Sequence, residues 1–210
     1  MTILPIVEGH YEVEAVGVLL RRLRDQSGEF GIQVGKAIRR KRSEMVQQDP
    51  LRKAVRLALL QPSCDAILIM FDADNDCPAV LAPMVDRWAR DEAGAIPVAV
   101  VMPCREFEAW FLASMESLRG CRGILTTAEP HPDPEYPRHA KAQLDDRMEA
   151  GRSYSETADQ AALTAQFDMT ASYARCRSFR KMARAFGVLI NSATGRAISG
   201  WPPAAWAAEE

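Results

Sequence analysis

Four short apolar runs alternate with four amphipathic stretches over the first 118 residues, and nothing else in the chain limits its fold as strongly. TILPIV (2–7) is apolar and reads as a strand. EVEAVGVLLRRLRDQ (12–26) then sets Val13, Val16, Leu19, Leu20 and Leu23 at helical spacing. GIQVGKAIRR (31–40) predicts a second strand with weaker alternation. DPLRKAVRLALLQ (49–61) predicts an amphipathic helix with Asp49 as N-cap and Pro50 at its first position. AILIMF (66–71) and IPVAVVM (96–102) are the third and fourth strands, separated by the helix VLAPMVDRWARDEAG (80–94). EFEAWFLASMESL (106–118) closes the series as a helix. Such alternation predicts an α/β fold: a four-stranded, mostly parallel sheet flanked by helices.

In a sheet of this kind the ligand site lies beyond the carboxyl ends of the strands. Acidic residues collect at those ends. Strand one runs into Glu8, with Glu12 four residues on; strand three runs into Asp72, Asp74 and Asp76; strand four is followed by Glu106 and Glu108. Like charges gathered at one point repel one another and become protonated unless a cation sits among them. A hard divalent ion, Mg²⁺ or Mn²⁺, is the natural occupant of an all-carboxylate site. One or two such ions can activate water and stabilise the leaving oxygen in phosphoryl transfer.

Composition narrows the function classes. The 210 residues are 48% hydrophobic and 26% charged, enough for an ordinary globular core without a metal or disulfide staple. A net charge of −2 argues against a general nucleic-acid coat. The five cysteines show no paired spacing, which suits free thiols in a reducing compartment, and the three histidines show no zinc-ligand pattern. No apolar run approaches the ~20 residues of a membrane span. The opening residues lack a basic stretch, so a cytoplasmic protein is expected.

Several chemistries use Asp-x-Asp. A calcium-binding helix–loop–helix starting at Asp72 needs Gly where Cys77 stands and Glu where Pro83 stands, so it fails. A phosphatase of the haloacid-dehalogenase kind also places Asp-x-Asp after a strand, but normally has Thr or Val where this chain has Asp76. A sugar-nucleotide transferase lacks its other parts here.

A strand ending in Glu-Gly (IVEGHYE) followed by a hydrophobic strand ending in Asp-x-Asp (IMFDADND) resembles the toprim domain of topoisomerases, DnaG-type primases and OLD-family nucleases. VEGHYEVEAV, FDADNDCPA, REFEAWFLAS, DQAALTAQFD and CRSFRKM are together similar to a bacterial family of small toprim-like proteins, over most of the chain. The resemblance implies that Glu8 is a general acid–base group or metal ligand and that Asp72 and Asp74 are metal ligands, with Asp76 a further ligand or an outer group. No tyrosine has the context of a topoisomerase nucleophile, and no basic template module of a primase is present. A nuclease hydrolysing DNA or RNA is therefore the branch implied. OLD relatives work beside an ABC-type ATPase. This chain has no Gly-x-x-x-x-Gly-Lys-Ser/Thr loop, so an ATPase partner of the ABC or AAA type would be a separate chain, in a setting such as phage defence. The alternatives are a non-catalytic metal- or nucleotide-binding regulatory subunit and the phosphatase.

Each signal has a plainer explanation beside it. Acids at strand-to-helix turns also cap helices and complement their dipoles. Glu106 and Glu108 would point to different sides of a helix, so one at most is expected to face the site. Lys36, Arg39, Arg40, Lys41 and Arg42 form a basic run, and Arg177, Arg180 and Lys181 a second group. Both are candidates for phosphate contacts, or simply solvated faces. Trp110 and Phe111 are expected in the core. Residues 1–116 are expected to form the catalytic α/β domain. Residues 117–210 would form a proline-rich loop, helices and a loosely held tail packed on it.

Overall fold

The structure is a computed structural model, described here for residues 1–206. Its centre is a parallel sheet of five short strands: β1 (Thr2–Val7), β2 (Gln33–Val34), β3 (Ile38–Arg39), β4 (Ala66–Met70) and β5 (Val98–Val101). The order is β2-β1-β4-β5, with β3 also pairing with β1 beyond β2. Ile3 to Val7 of β1 run in register with Ala66 to Met70 of β4, and Ile67 to Met70 with Val98 to Val101 of β5. The strand tips, and the acids that follow them, therefore end on one rim.

Side chains of β4 alternate strictly between two cores. Ala66, Leu68 and Met70 face one layer; Ile67, Ile69 and Phe71 face the other. The first layer holds α1 (Glu12–Ser27), which ends on Gly28 in the left-handed conformation that only glycine adopts freely. The second is covered by α2 (Arg42–Met45), α3 (Gln48–Leu59) and α4 (Pro78–Ala93). α3 begins at Gln48 with Gln47 as its cap, so Asp49 lies in the first turn rather than capping it, and Pro50 is the third helical residue.

The expected second strand is present as two pieces. At Gly35, between them, the chain passes so close to β1 that a Cβ would sit 2.1 Å from Leu4 Cδ2. Leu4 is buried and cannot swing into solvent. Gly35→Ala is therefore expected to cost about 2 kcal/mol through overpacking, readable as a lower denaturant midpoint at unchanged slope.

After β5 the expected single helix is two: α5 (Ala109–Ala113) and α6 (Met115–Leu118). The buried Ser114 hydroxyl donates to the Trp110 carbonyl at 2.9 Å, a back-bond that competes with helix continuation at that turn. Next come α7 (Ala140–Asp145), a π-helical turn over Glu156–Gln160, α8 (Ala161–Thr164), α9 (Met169–Arg175) and the long α10 (Arg177–Thr194). α9 carries no signal of its own except Asp168, whose carboxylate caps it by accepting from the backbone N–H of Thr170 and Ala171.

α10 lies against β4 and β5 and completes the first layer. Its Phe179 joins Trp110, Phe111 and Phe167, all fully buried, in one aromatic stack. The end of the chain corrects one expectation: through residue 206 it is docked, not loose. Trp201 Nε1 donates to the Ala183 carbonyl at 2.8 Å, and Trp206 is buried against Tyr173, Phe179 and Trp201. Residues 207–210 lie outside the described residues. All five cysteines are free thiols, and no described helix is long and apolar enough to cross a membrane.

Candidate carboxylate site

The rim formed by β1, β4 and the segment after β5 gathers buried acids. Glu8 leaves β1 half-buried, and its Oε2 is enclosed with no hydrogen-bond partner. Burial, then the charge of Asp74, pushes its carboxyl above the ordinary glutamate value, while Arg42, the Asp72 amide and Lys141 pull the other way. Glu12, in the first turn of α1, is 7% exposed. Its Oε2 accepts from the backbone N–H of Glu8 at 3.2 Å and of Gly9 at 3.1 Å, closing the turn that aims Glu8. Burial, together with the charges of Glu8 and Glu108, raises Glu12 to about 7.

Asp72 ties two strand ends together: its Oδ1 accepts from the Phe107 backbone N–H at 2.9 Å. Part of the residue reaches solvent, but the carboxyl turns inward. Burial, then Glu12, Glu108 and Glu8, holds it well above the usual aspartate range against the opposing Lys141. Glu108 is fully buried. Its Oε1 accepts from Tyr154 Oη at 2.7 Å and Gln160 Nε2 at 3.3 Å, and its Oε2 has no partner. Burial raises it too, with Lys141 and Tyr154 opposing.

Asp74 and Asp76 behave differently. Both are exposed and share Arg42, whose Nε lies 3.0 Å from Asp74 and whose Nη2 pairs with Asp76. Arg42 also donates to the backbone carbonyls of Asp72 and Ala73. The guanidinium thus occupies the positive position beside the Asp-x-Asp motif. Arg42→Ala, by removing this internal competitor, is expected to tighten Mn²⁺ binding by up to about fivefold, the worth of part-exposed ion pairs, in a calorimetric titration.

The sequence-based placement of the two late glutamates needs correcting. Both precede α5, in a turn rather than within a helix, so the different-sides argument does not apply to them. Glu108 enters the cluster. Glu106 sits at its edge, where its Oε2 accepts the Lys141 backbone N–H at 3.1 Å and holds the start of α7.

Lys141 is the functional candidate that sequence reasoning missed, along with Tyr154 and Gln160. Its half-buried ammonium pairs with Glu156. Burial works against its charge, but Glu108, Glu156 and Asp72 outweigh that and hold it above the ordinary lysine value. One signal was available: a lysine in the first turn of a helix opposes the helix dipole, so another source of negative charge must hold it there.

Of the basic run, only Arg42 reaches the acids through an ion pair among the described residues. Arg39 and Lys41 are exposed beside the rim, Lys36 is exposed lower along the sheet edge between β2 and β3, and Arg40 Nη1 donates to the Arg39 carbonyl. Arg180 is spent on the last carbonyls of α9, at Tyr173 and Ala174, whereas Arg177 and Lys181 are exposed on α10.

The donor set is all oxygen, and two of its buried carboxylate oxygens, Glu8 Oε2 and Glu108 Oε2, lack partners. That chemistry fits Mg²⁺ or Mn²⁺. Among the described residues no three His, Cys, Asp or Glu side chains already stand in the mutual arrangement of a metal cage, so a cation would have to draw the carboxylates inward.

A family model described as "Domain of unknown function (DUF4276)" matches residues 7–186, a span that includes every carboxylate of the site together with Lys141 and Tyr154. No curated protein and no solved structure matches the chain.

Proposed function

The chain belongs to the DUF4276 family, and for this member we propose a metal-dependent phosphodiesterase acting on nucleic acid, with Glu8, Glu12, Asp72 and Glu108 holding Mg²⁺ or Mn²⁺. The observation that carries the reading is that these four carboxylates, all raised, lie at one rim with two of their buried oxygens, Glu8 Oε2 and Glu108 Oε2, left without partners. A bound ion there would supply positive charge to phosphate oxygens and would make a water beside it easier to deprotonate.

The rest of the reaction falls to the chain. Water adds to phosphorus, one ester P–O bond breaks, the proton lost by the water passes to a carboxylate, and the departing sugar oxygen takes up a proton and leaves as a hydroxyl. Glu8 suits the accepting role, because burial and the charge of Asp74 raise its carboxyl above the ordinary glutamate value and make it a better proton acceptor. Lys141, held charged among carboxylates, offers its ammonium to the negative charge gathering on the phosphate. Tyr154 stays protonated, because burial and Glu108 push its phenol up, and so orients Glu108 as a donor. The exposed Lys36, Arg39 and Lys41, with Arg177 and Lys181, extend positive charge for flanking phosphates. The toprim resemblance supports the same reading, and it alone supports a separate ATPase partner.

A second reading has its own observation: Arg42 already neutralises Asp74 and Asp76 without a metal, as a regulatory binding subunit would tolerate. Supercoiled plasmid and single-stranded RNA incubated with Mg²⁺, Mn²⁺ or EDTA decide between them. Cleavage that needs the metal supports hydrolysis. Silence, even with a co-purified ATPase, supports the binding subunit. Turnover of a chromogenic phosphomonoester instead supports the phosphatase.

A further inference from the structure

Directly outside the carboxylate cluster, a cavity of about 310 Å³ opens between the loop after β4, the loop after β5 and the segment preceding α7. Asp74, Asn75, Asp76, Cys77, Arg105 and Tyr136 are among its lining residues. The size matches one small planar ligand with its sugar rather than a helix or a duplex.

Two features show that its walls are preset. Asp74 (φ 49°) and Arg105 (φ 67°) both adopt the left-handed backbone that non-glycine residues avoid. They lock each other: the Asp74 N–H donates to the Arg105 carbonyl at 2.9 Å, and Arg105 Nη1 donates to the Asp74 carbonyl at 3.2 Å. The opposite wall is fixed through Glu135, whose two carboxylate oxygens accept from the backbone N–H of Arg177 and Ser178 at 2.9 and 2.8 Å. The neighbouring Tyr136 is 74% exposed, although it stands on this anchored loop. An aromatic ring held in solvent by a fixed backbone is a stacking platform. The acids lining the cavity would repel a phosphate, but they accept hydrogen bonds from the exocyclic amines of a neutral base.

We propose that this cavity is a nucleotide subsite that takes one unpaired base beside the cleaved phosphate, stacked on Tyr136, so that the substrate is single-stranded nucleic acid. The inference rests on the hydrolytic reading of the adjoining cluster and adds the strandedness of the substrate to it.

The test uses the full chain carrying Asp72→Asn, with and without Tyr136→Ala or Tyr136→Phe. Fluorescence anisotropy follows binding of a labelled DNA strand, the RNA strand of the same sequence and the blunt DNA duplex. Single strands are expected to bind more tightly than the duplex. Tyr136→Ala is expected to lose roughly tenfold on single strands while Tyr136→Phe keeps the affinity. The DNA and RNA arms show which strand the subsite prefers. Equal affinity for duplex and single strand, or no effect of Tyr136→Ala, overturns the subsite. In parallel, cleavage is measured on chains with Asp72 intact. Tyr136-dependent binding without cleavage keeps the subsite and removes the hydrolytic reading. Metal-dependent cleavage indifferent to Tyr136→Ala does the reverse. No binding of any strand removes the subsite as a nucleotide site.

Discussion

Asp72→Asn is expected to lower metal-dependent cleavage by roughly a thousandfold or more, while leaving the metal-free protein as stable as the parent or more so. The two halves of this outcome separate a functional carboxylate from a structural one. Asparagine keeps the oxygen that accepts the Phe107 N–H, so the tie between the ends of β4 and β5 survives. What disappears is a negative charge that burial, Glu12, Glu108 and Glu8 all disfavour. If Asp72 served only to hold the turn, the neutral variant would keep the parent's activity; if its charge served stability, the variant would melt earlier. Glu8→Gln is expected to behave alike, since it also neutralises a carboxyl pushed upward by burial. Rates of plasmid and oligonucleotide cleavage, with melting curves in EDTA, check both halves.

The second large effect concerns pH. Glu12 ionises near 4.5 when unfolded and at about 7 in the fold. Below about 4.5 both states are protonated and the group costs nothing. As pH rises, the unfolded chain releases its proton first, and stability is lost progressively until the folded carboxyl also ionises, above about 7. The gap corresponds to roughly 3 kcal/mol. Glutamine can still accept the Glu8 and Gly9 N–H groups, so Glu12→Gln removes the titration and keeps the turn. In EDTA the variant is therefore expected to gain about 3 kcal/mol on the parent between pH 4.5 and 8, measured by denaturant unfolding. Saturating Mg²⁺ should narrow the difference, because a cation removes the cost of the charged form. A constant difference across that range would place the Glu12 carboxyl at an ordinary value.

The parallel sheet was legible because its signals are local. AILIMF and IPVAVVM are too short and too apolar for anything but buried strands, and the acids following them in sequence must emerge at one rim once the strands are parallel. Glu8 and Asp72 were found that way. The division of the second strand was not legible: it falls at Gly35, where the backbone lies close against the Leu4 side chain, a tertiary approach that no periodicity encodes. The break at Ser114 arises from one side-chain hydrogen bond. Lys141 and Tyr154 belong to segments far from the strands, and only tertiary packing brings them to Glu108. Basic runs drew attention to Arg180, which the structure spends on the end of α9, whereas Arg42 from the first run reached the site and paired with the motif itself. Clustered charge in a sequence reports a face; the single charge inside a site is placed by the fold.

The cation is the centre of this account, and its binding can be measured without any assumption about substrate. Calorimetric titration of Mn²⁺ into the metal-stripped full chain should give saturable binding that is abolished in Glu8→Gln and in Asp72→Asn and retained in Tyr136→Ala. A parent chain that takes up no Mn²⁺, or binding that persists unchanged in both carboxylate variants, would contradict it.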